Sequence, residues 1–290
     1  MPLAPSAGGG LRPALGVSWE GRPAALLPTL AARADVIEVV PDALRGPDGE
    51  VNRTLLDELD REAPDVPLTY HGIGLSIGSV DAWNDDYLRL LDQVLAWREP
   101  LWHSEHLGFT HVDGAFLGTM PALPTTQESL ELVIERSRSM RERYGREFLL
   151  EHVASPLDRP ADLTLAAYLN TLAAETGSRL LLDLHNIECD VDNGYLRLDE
   201  FLDELDWTAV GEIHVAGGVW HEGWHLDVHT GLVADSTMAL LATALERATN
   251  LDLVVYEVLA SAVPRLGVDA IGDQLDTVRA LLSAAAPVPA

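Results

Sequence analysis

The 290-residue sequence predicts an α/β protein folded as a single (β/α)8 TIM barrel. Three observations carry this. Eight runs of apolar and β-branched residues recur along the chain, each about four to seven residues long. Their hydrophobicity is nearly continuous, as parallel strands buried on both faces require. Helix-like segments separate them without any low-complexity linker, which implies repeated parallel strand–helix units. Eight such strands in about 270 residues close a barrel, a doubly wound open sheet being the alternative.

Taken in order, residues 1–13, with Gly8-Gly9-Gly10 and Pro13, are expected to be a disordered lead-in, and residues 14–285 the catalytic barrel domain. The lead-in lacks the charged start and apolar run of a secretion signal. The first strand is expected over 15–19, followed by an Ala- and Leu-rich helix over 24–33. The second covers 36–40, and leucines at 55, 56 and 59 mark a helix over 52–62. The third and fourth strands fall at 68–71 and 101–106. Thr125 and Glu128 form a capping box ahead of Leu130, Leu132, Val133 and Ile134. That helix ends at Gly145, and the next, over 163–176, ends at Gly177, each glycine suiting the left-handed residue after a helix. Strands at 148–152, 179–184, 211–215 and 253–258 complete the set, with helices at 198–205, 236–248 and 269–283.

A hydrophobic share of 47% with 22% charged residues places the chain among ordinary globular proteins. No apolar stretch is long enough to span a bilayer, and the expected location is the cytoplasm. The formal charge of −27, from 46 acids against 19 bases, repels phosphate backbones and argues against a nucleic-acid substrate. Cys189 is the only cysteine, so neither an internal disulfide nor a cysteine-rich zinc site can form, and it reads as a small core residue. Any metal is then expected on His, Asp, Glu and Asn.

The histidines fall at strand ends. The third run ends in His71-Gly72, the fourth in Ser104-Glu105-His106, the fifth in Glu151-His152 and the sixth in Asp183-Leu184-His185-Asn186. The seventh ends in Glu212-Ile213-His214, the eighth carries Glu257, and the following loop of the seventh adds Asp227-Val228-His229. Strand C-termini of a barrel converge on one mouth, so these side chains can meet there. Imidazole with carboxylate and no thiolate suits zinc, iron or manganese. A lone His or Glu at a strand end usually caps or pairs, and His103, His111, His221 and His225 take that reading; Glu38 and Glu212, displaced from their strand tips, read as groups that support a ligand from behind or as ion-pair groups. Acids or imidazoles at six successive tips do not. Asp227-x-His229 places two candidates on alternate residues of an extended loop, and His185 competes with Asn186 after Asp183. Gly72, Gly74 and Gly78 lack the Lys-Ser/Thr of a phosphate loop and the spacing of a dinucleotide fingerprint.

The run His71-Gly72-Ile73-Gly74-Leu75-Ser76-Ile77-Gly78-Ser79 and the motif Ser104-Glu105-His106-Leu107 resemble the multinuclear non-haem iron-dependent oxidases. Leu150-Glu151, Leu181-Leu182-Asp183, Gly211 to Gly217 and Asp227-Val228-His229 extend the resemblance from about Gly16 to Glu257. It implies modification of a ribosomally made precursor peptide, usually at cysteine, with two or three iron ions (Fe2+/Fe3+) and dioxygen. It implies ligand roles for His71, His106, Glu151, Asp183, Asn186, His214, Asp227, His229 and Glu257, and makes Glu105 and His185 the catalytic candidates. A small partner protein that recognises the precursor's leader is also implied. The chain departs from the pattern at His152 and His185, where Asn is usual, at Gly218, where His is common, and at Glu257-Val258-Leu259, where Glu-Trp-Asp is usual.

Two alternatives share the barrel: a zinc-dependent phosphodiesterase resembling endonuclease IV, and a metal-dependent sugar isomerase. The acidity opposes the first. The absence of any lysine, all 19 bases being Arg, counts against the second.

Overall fold

A computed structural model describes residues 13–21 and 27–285. The expected lead-in, except Pro13, and the expected start of the first helix at Ala24 lie outside them. Along the chain run β1 (Ala14–Trp19), α1 (Leu27–Ala31), β2 (Val36–Val39), α2 (Arg53–Glu62), β3 (Leu68–Gly72), α3 (Asp85–Trp97) and β4 (His103–His106). Next come the short strands β5 (His111–Val112) and β6 (Ala115–Phe116), α4 (Gln127–Tyr144), β7 (Phe148–Glu151), α5 (Leu165–Thr176), β8 (Arg179–Asp183), α6 (Leu184–Asp192) and α7 (Leu198–Glu204). The chain continues through β9 (Val210–Val215), β10 (Val219–His221), β11 (Trp224–Leu226), α8 (Asp235–Arg247), β12 (Leu253–Tyr256), α9 (Val263–Leu266) and α10 (Val268–Ala285).

The expected strands all form, and they close a barrel in the order β1-β12-β9-β8-β7-β4-β3-β2. Every pairing around it is parallel. Two-residue alternation along each strand sorts the interior into layers. Val36, Trp102, Leu149, Leu181, Leu253 and Val255 pack into an apolar floor. Two residues further on, the same faces carry Glu38, Ser104, Glu151, Asp183 and Glu257. The strands therefore lift a polar layer onto a hydrophobic plug.

Four expectations change. The cap of α4 is Thr126, whose side chain accepts from Ser129 N–H. Thr125 instead donates to the Leu163 carbonyl. The sixth strand stops at Asp183 because its carboxylate accepts from the N–H groups of His185 and Asn186 and so starts α6. The helix α3, capped by Asn84 onto Tyr87 N–H, adds to the expected elements, and so do the hairpins β5–β6 and β10–β11. Gly145 and Gly177 do end α4 and α5 in the left-handed conformation.

Candidate metal centre

Three ligand atoms meet at the ends of β3, β4 and β7. His71 Nε2 lies 3.0 Å from Glu151 Oε2, His106 Nε2 lies 3.2 Å from the same oxygen, and the two nitrogens are 3.2 Å apart. Their tautomers follow from the outer contacts. His106 Nδ1 must donate to the Gly72 carbonyl at 2.9 Å. Ser104 donates to the Tyr70 carbonyl, so it accepts from His71 Nδ1, 2.8 Å away. Neutral imidazoles held this way turn both Nε2 lone pairs toward a carboxylate oxygen. Lone pairs facing one another repel unless a cation stands among them. Ligand bonds near 2.1 Å at right angles give separations of about 3.0 Å, so the spacing suits one six-coordinate ion.

The second group lies across the mouth. His214 Nδ1 is 3.0 Å from Glu257 Oε2. His229 Nδ1 is 3.2 Å from Glu257 Oε1, and its Nε2 is 2.6 Å from Asp227 Oδ1 and 3.7 Å from Asp183 Oδ2. The rings of His71 and His214 are 5.1 Å apart and join the two groups. Asn186 reaches the first through Nδ2, 3.3 Å from Glu151 Oε1. All nine residues with expected ligand roles thus converge on one centre. Glu151 Oε2, Asp183 Oδ2 and Asn186 Oδ1 are buried without a hydrogen-bond partner, and their donor types fit metal ions. His229 holds φ 46°, so the Asp227–His229 segment bends rather than running extended as expected.

The electrostatics of the layer favour added positive charge. Burial pushes the Glu151 carboxyl well up and the Asp183 carboxyl to about 6. Burial alone would lower His214 and His229, yet Glu38 and Glu257 outweigh it at His214, and Asp227 and Glu257 at His229, holding both well up. Burial also holds His71 well below its ordinary value. Buried carboxylates are stable only when compensated, and divalent ions provide that compensation without protons.

Glu38 and Glu212, read from sequence as ligand-supporting or ion-pair groups, sit just beneath. His214 Nε2 is 3.2 Å from Glu38 Oε1, and Trp102 Nε1 donates to Glu212. A carboxylate on one ring nitrogen fixes the imidazole so that the other faces a metal. Glu38→Gln should therefore keep the fold but weaken metal binding roughly 10- to 100-fold. Metal-buffer titrations that match wild type would contradict this role.

Two candidates are placed differently. Glu105 lies on the opposite face of β4 from His106. It accepts from Tyr87 Oη at 2.5 Å and meets His103 Nε2 at 2.9 Å, so it braces the barrel wall instead of standing beside the cluster. His103 is accordingly buried scaffolding. His185 points along α6 toward Cys189, 3.6 Å from its sulfur, and it is Asn186 that reaches Glu151. His152, noted from sequence as a strand-end residue and as a departure from the family pattern but given no role, is buried with neither ring nitrogen hydrogen-bonded. The glycine run serves packing: a Cβ on Gly74 would stand 2.5 Å from Asp42 Oδ1, and one on Gly78 would stand 2.1 Å from Leu123.

Asp42 accepts from Ile73 N–H at 2.9 Å. Burial, and then Glu105, push its carboxyl from 3.8 to about 6. A folded-state value above the unfolded one gives stability that is complete below pH 3.8 and lost as pH rises through about 6. At fixed metal load, Asp42→Asn should flatten this part of the melting-temperature profile. Identical profiles for variant and wild type would count against it.

A model of the RiPP precursor modification enzymes MbnB/TglH/ChrH matches residues 14–264. A UPF0276 protein of Acaryochloris marina is 34% identical over 194 residues, covering 66% of this chain and 70% of its own. A UPF0276 protein of Anaeromyxobacter sp. is 30% identical, covering 73% and 74%. Among solved structures, a D-psicose 3-epimerase aligns with a TM-score of 0.60 at 12% identity, over 93% of this chain and 99% of its own. Endonuclease IV from Thermus thermophilus aligns at 0.56 and 16%, with the same coverages. These two likenesses establish the barrel fold alone. Matched across its barrel from β1 to α9, the chain belongs to the MbnB/TglH/ChrH family of RiPP precursor modification enzymes.

Proposed function

We propose that the chain is a multinuclear iron-dependent oxidase that modifies a ribosomally made precursor peptide at a cysteine, using dioxygen. The observation that carries the reading is the facing of His71 Nε2, His106 Nε2 and Glu151 Oε2 within 3.0–3.2 Å, in a family of precursor-modifying enzymes. His71, His106 and Glu151 would hold one ion. Asp183, His214 and Glu257 would hold a second, and Asp183, Asp227 and His229 offer a third position that shares Asp183. Asn186 would complete the shell through Oδ1. Iron bound by imidazole and hard carboxylate supplies oxygen activation. The protein's own part is to hold these ligands on a rigid floor and to fix their tautomers from behind.

The substrate reading places the enzyme in the cytoplasm, where such precursors are made; no described helix is long and apolar enough to cross a membrane. Trp220 and Trp224 on β10–β11 and Phe116 on β6 are exposed, and they offer the peptide, or a small leader-recognition partner, apolar contact. The surface charge suits a peptide with basic residues, whose association should slow as salt rises. The test is co-expression with the short cysteine-containing peptide encoded beside the gene, followed by mass spectrometry. A mass change confined to cysteine and dependent on iron and oxygen is expected. An unmodified peptide, together with abasic-DNA cleavage by zinc-loaded protein, would favour the phosphodiesterase.

A further inference from the structure

Outside the strand-tip cluster, one helical turn along α6, His185 and Cys189 lie four residues apart on one face, and His225 of β11 packs over them. We infer that His185, Cys189 and His225 form a separate site for a single thiolate-preferring divalent ion of the zinc class. Their ligand atoms lie within 4.8 Å of one another, and Cys189 Sγ is 3.6 Å from His185 Nε2. For tetrahedral zinc, bonds of about 2.3 Å to sulfur and about 2.0–2.1 Å to nitrogen put two ligands about 3.5 Å apart. The strand-tip triangle, at 3.0–3.2 Å, is tighter and free of sulfur. The two sites therefore differ in geometry and in softness, and they should sort metals accordingly.

The surroundings are built for the same purpose. Asp192 Oδ2 holds His225 Nδ1 at 2.8 Å, which leaves Nε2 as the nitrogen for a metal. Asn193 clamps the hairpin on the helix end: its Oδ1 accepts from His225 N–H at 2.9 Å and its Nδ2 donates to the His225 carbonyl at 2.8 Å. Trp220 stacks on the outer face of His225, with centroids 4.8 Å apart. The His185 imidazole is buried. Its Nδ1 has no hydrogen-bond partner, and Glu188 stands 3.9 Å away, able to balance charge without bonding. Gly218 makes the room, since a Cβ there would lie 2.3 Å from His185 Nε2. The departures at positions 185 and 218 are thus one structural change. Burial, and then Asp227, push the Cys189 thiol far up, so an ion entering must displace its proton.

The inference does not rest on the oxidase reading, and its test does not use activity. Co2+ is titrated into the full-length, iron-loaded protein under anaerobic conditions. One equivalent should bind with a cobalt–thiolate charge-transfer band in the near ultraviolet, and Zn2+ should bleach it. The band should vanish in Cys189→Ser and in Cys189→Ala. In His225→Ala, altered at a partly exposed hairpin position, affinity should fall at least about tenfold. Iron content should stay at the wild-type level in all three. Absence of the band at saturating Co2+ in wild type, or its survival in a Cys189 variant, overturns the site. Should both Cys189 variants fail to fold, unchanged Co2+ affinity in His225→Ala would overturn it equally.

Discussion

Replacing His71, Asp183 or His229 with alanine should leave a soluble barrel that has lost metal and roughly a hundredfold or more of its peptide-modifying activity, more than an outer-shell change costs. The three residues come from β3, the end of β8 and the loop after β11, so a shared loss would mean that they serve one centre. Solubility should survive because the ligands stand above the floor of Val36, Trp102, Leu149, Leu181, Leu253 and Val255, which none of the substitutions touches. His221, exposed on β10, is the appropriate control. Elemental analysis and the peptide mass assay read both losses. Full metal and activity in all three variants would dismiss the assignment.

Gly72→Ala should be among the most damaging single changes in the molecule. A Cβ there would lie 1.9 Å from Tyr87 Oη and 2.1 Å from Glu105 Oε1. Those two atoms are already 2.5 Å apart in a buried hydrogen bond, so neither can retreat without losing its partner. Overpacking of this kind costs about 1–3 kcal/mol, and breaking the bond adds about 1–3 kcal/mol. The Gly72 carbonyl also orients His106, so metal affinity should fall along with the melting temperature. Tyr87→Phe removes the nearer atom, and in the double variant it should restore part of the lost stability. A double variant no more stable than Gly72→Ala alone would show that the clash is not the cause.

The barrel is legible in the sequence because its strands are buried on both faces, so each reads as an unbroken apolar run such as Leu253 to Tyr256. The mouth is legible because ionisable residues follow those runs from β3 onward. The layer beneath is legible in kind, since Glu38 and Glu212 are set back from the strand tips, but their partners are not: only alternation in the closed barrel turns them toward His214 and Trp102. The same alternation turns Glu105 away, which its neighbour His106 could not reveal. The helix α3 does carry a signal, an Asn84 cap and apolar residues at 87, 88, 90, 91 and 94. The meeting of Cys189 with His225 is tertiary, made across the end of α6 by Asn193 and a hairpin unmarked by apolar periodicity. Cys189 and His225 each read as structural alone, and only the fold sets them together.

The measurement that bears most directly on a multinuclear iron centre is the metal content per chain of protein produced with ample iron and purified without oxygen, in wild type and in Cys189→Ser. Nine imidazole, carboxylate and amide ligands exceed what one transition-metal ion takes, about six. Two or three iron equivalents are therefore expected in both proteins, with any zinc confined to wild type. One iron or none, with zinc that persists in Cys189→Ser, would place zinc at the strand tips and contradict the oxidase account.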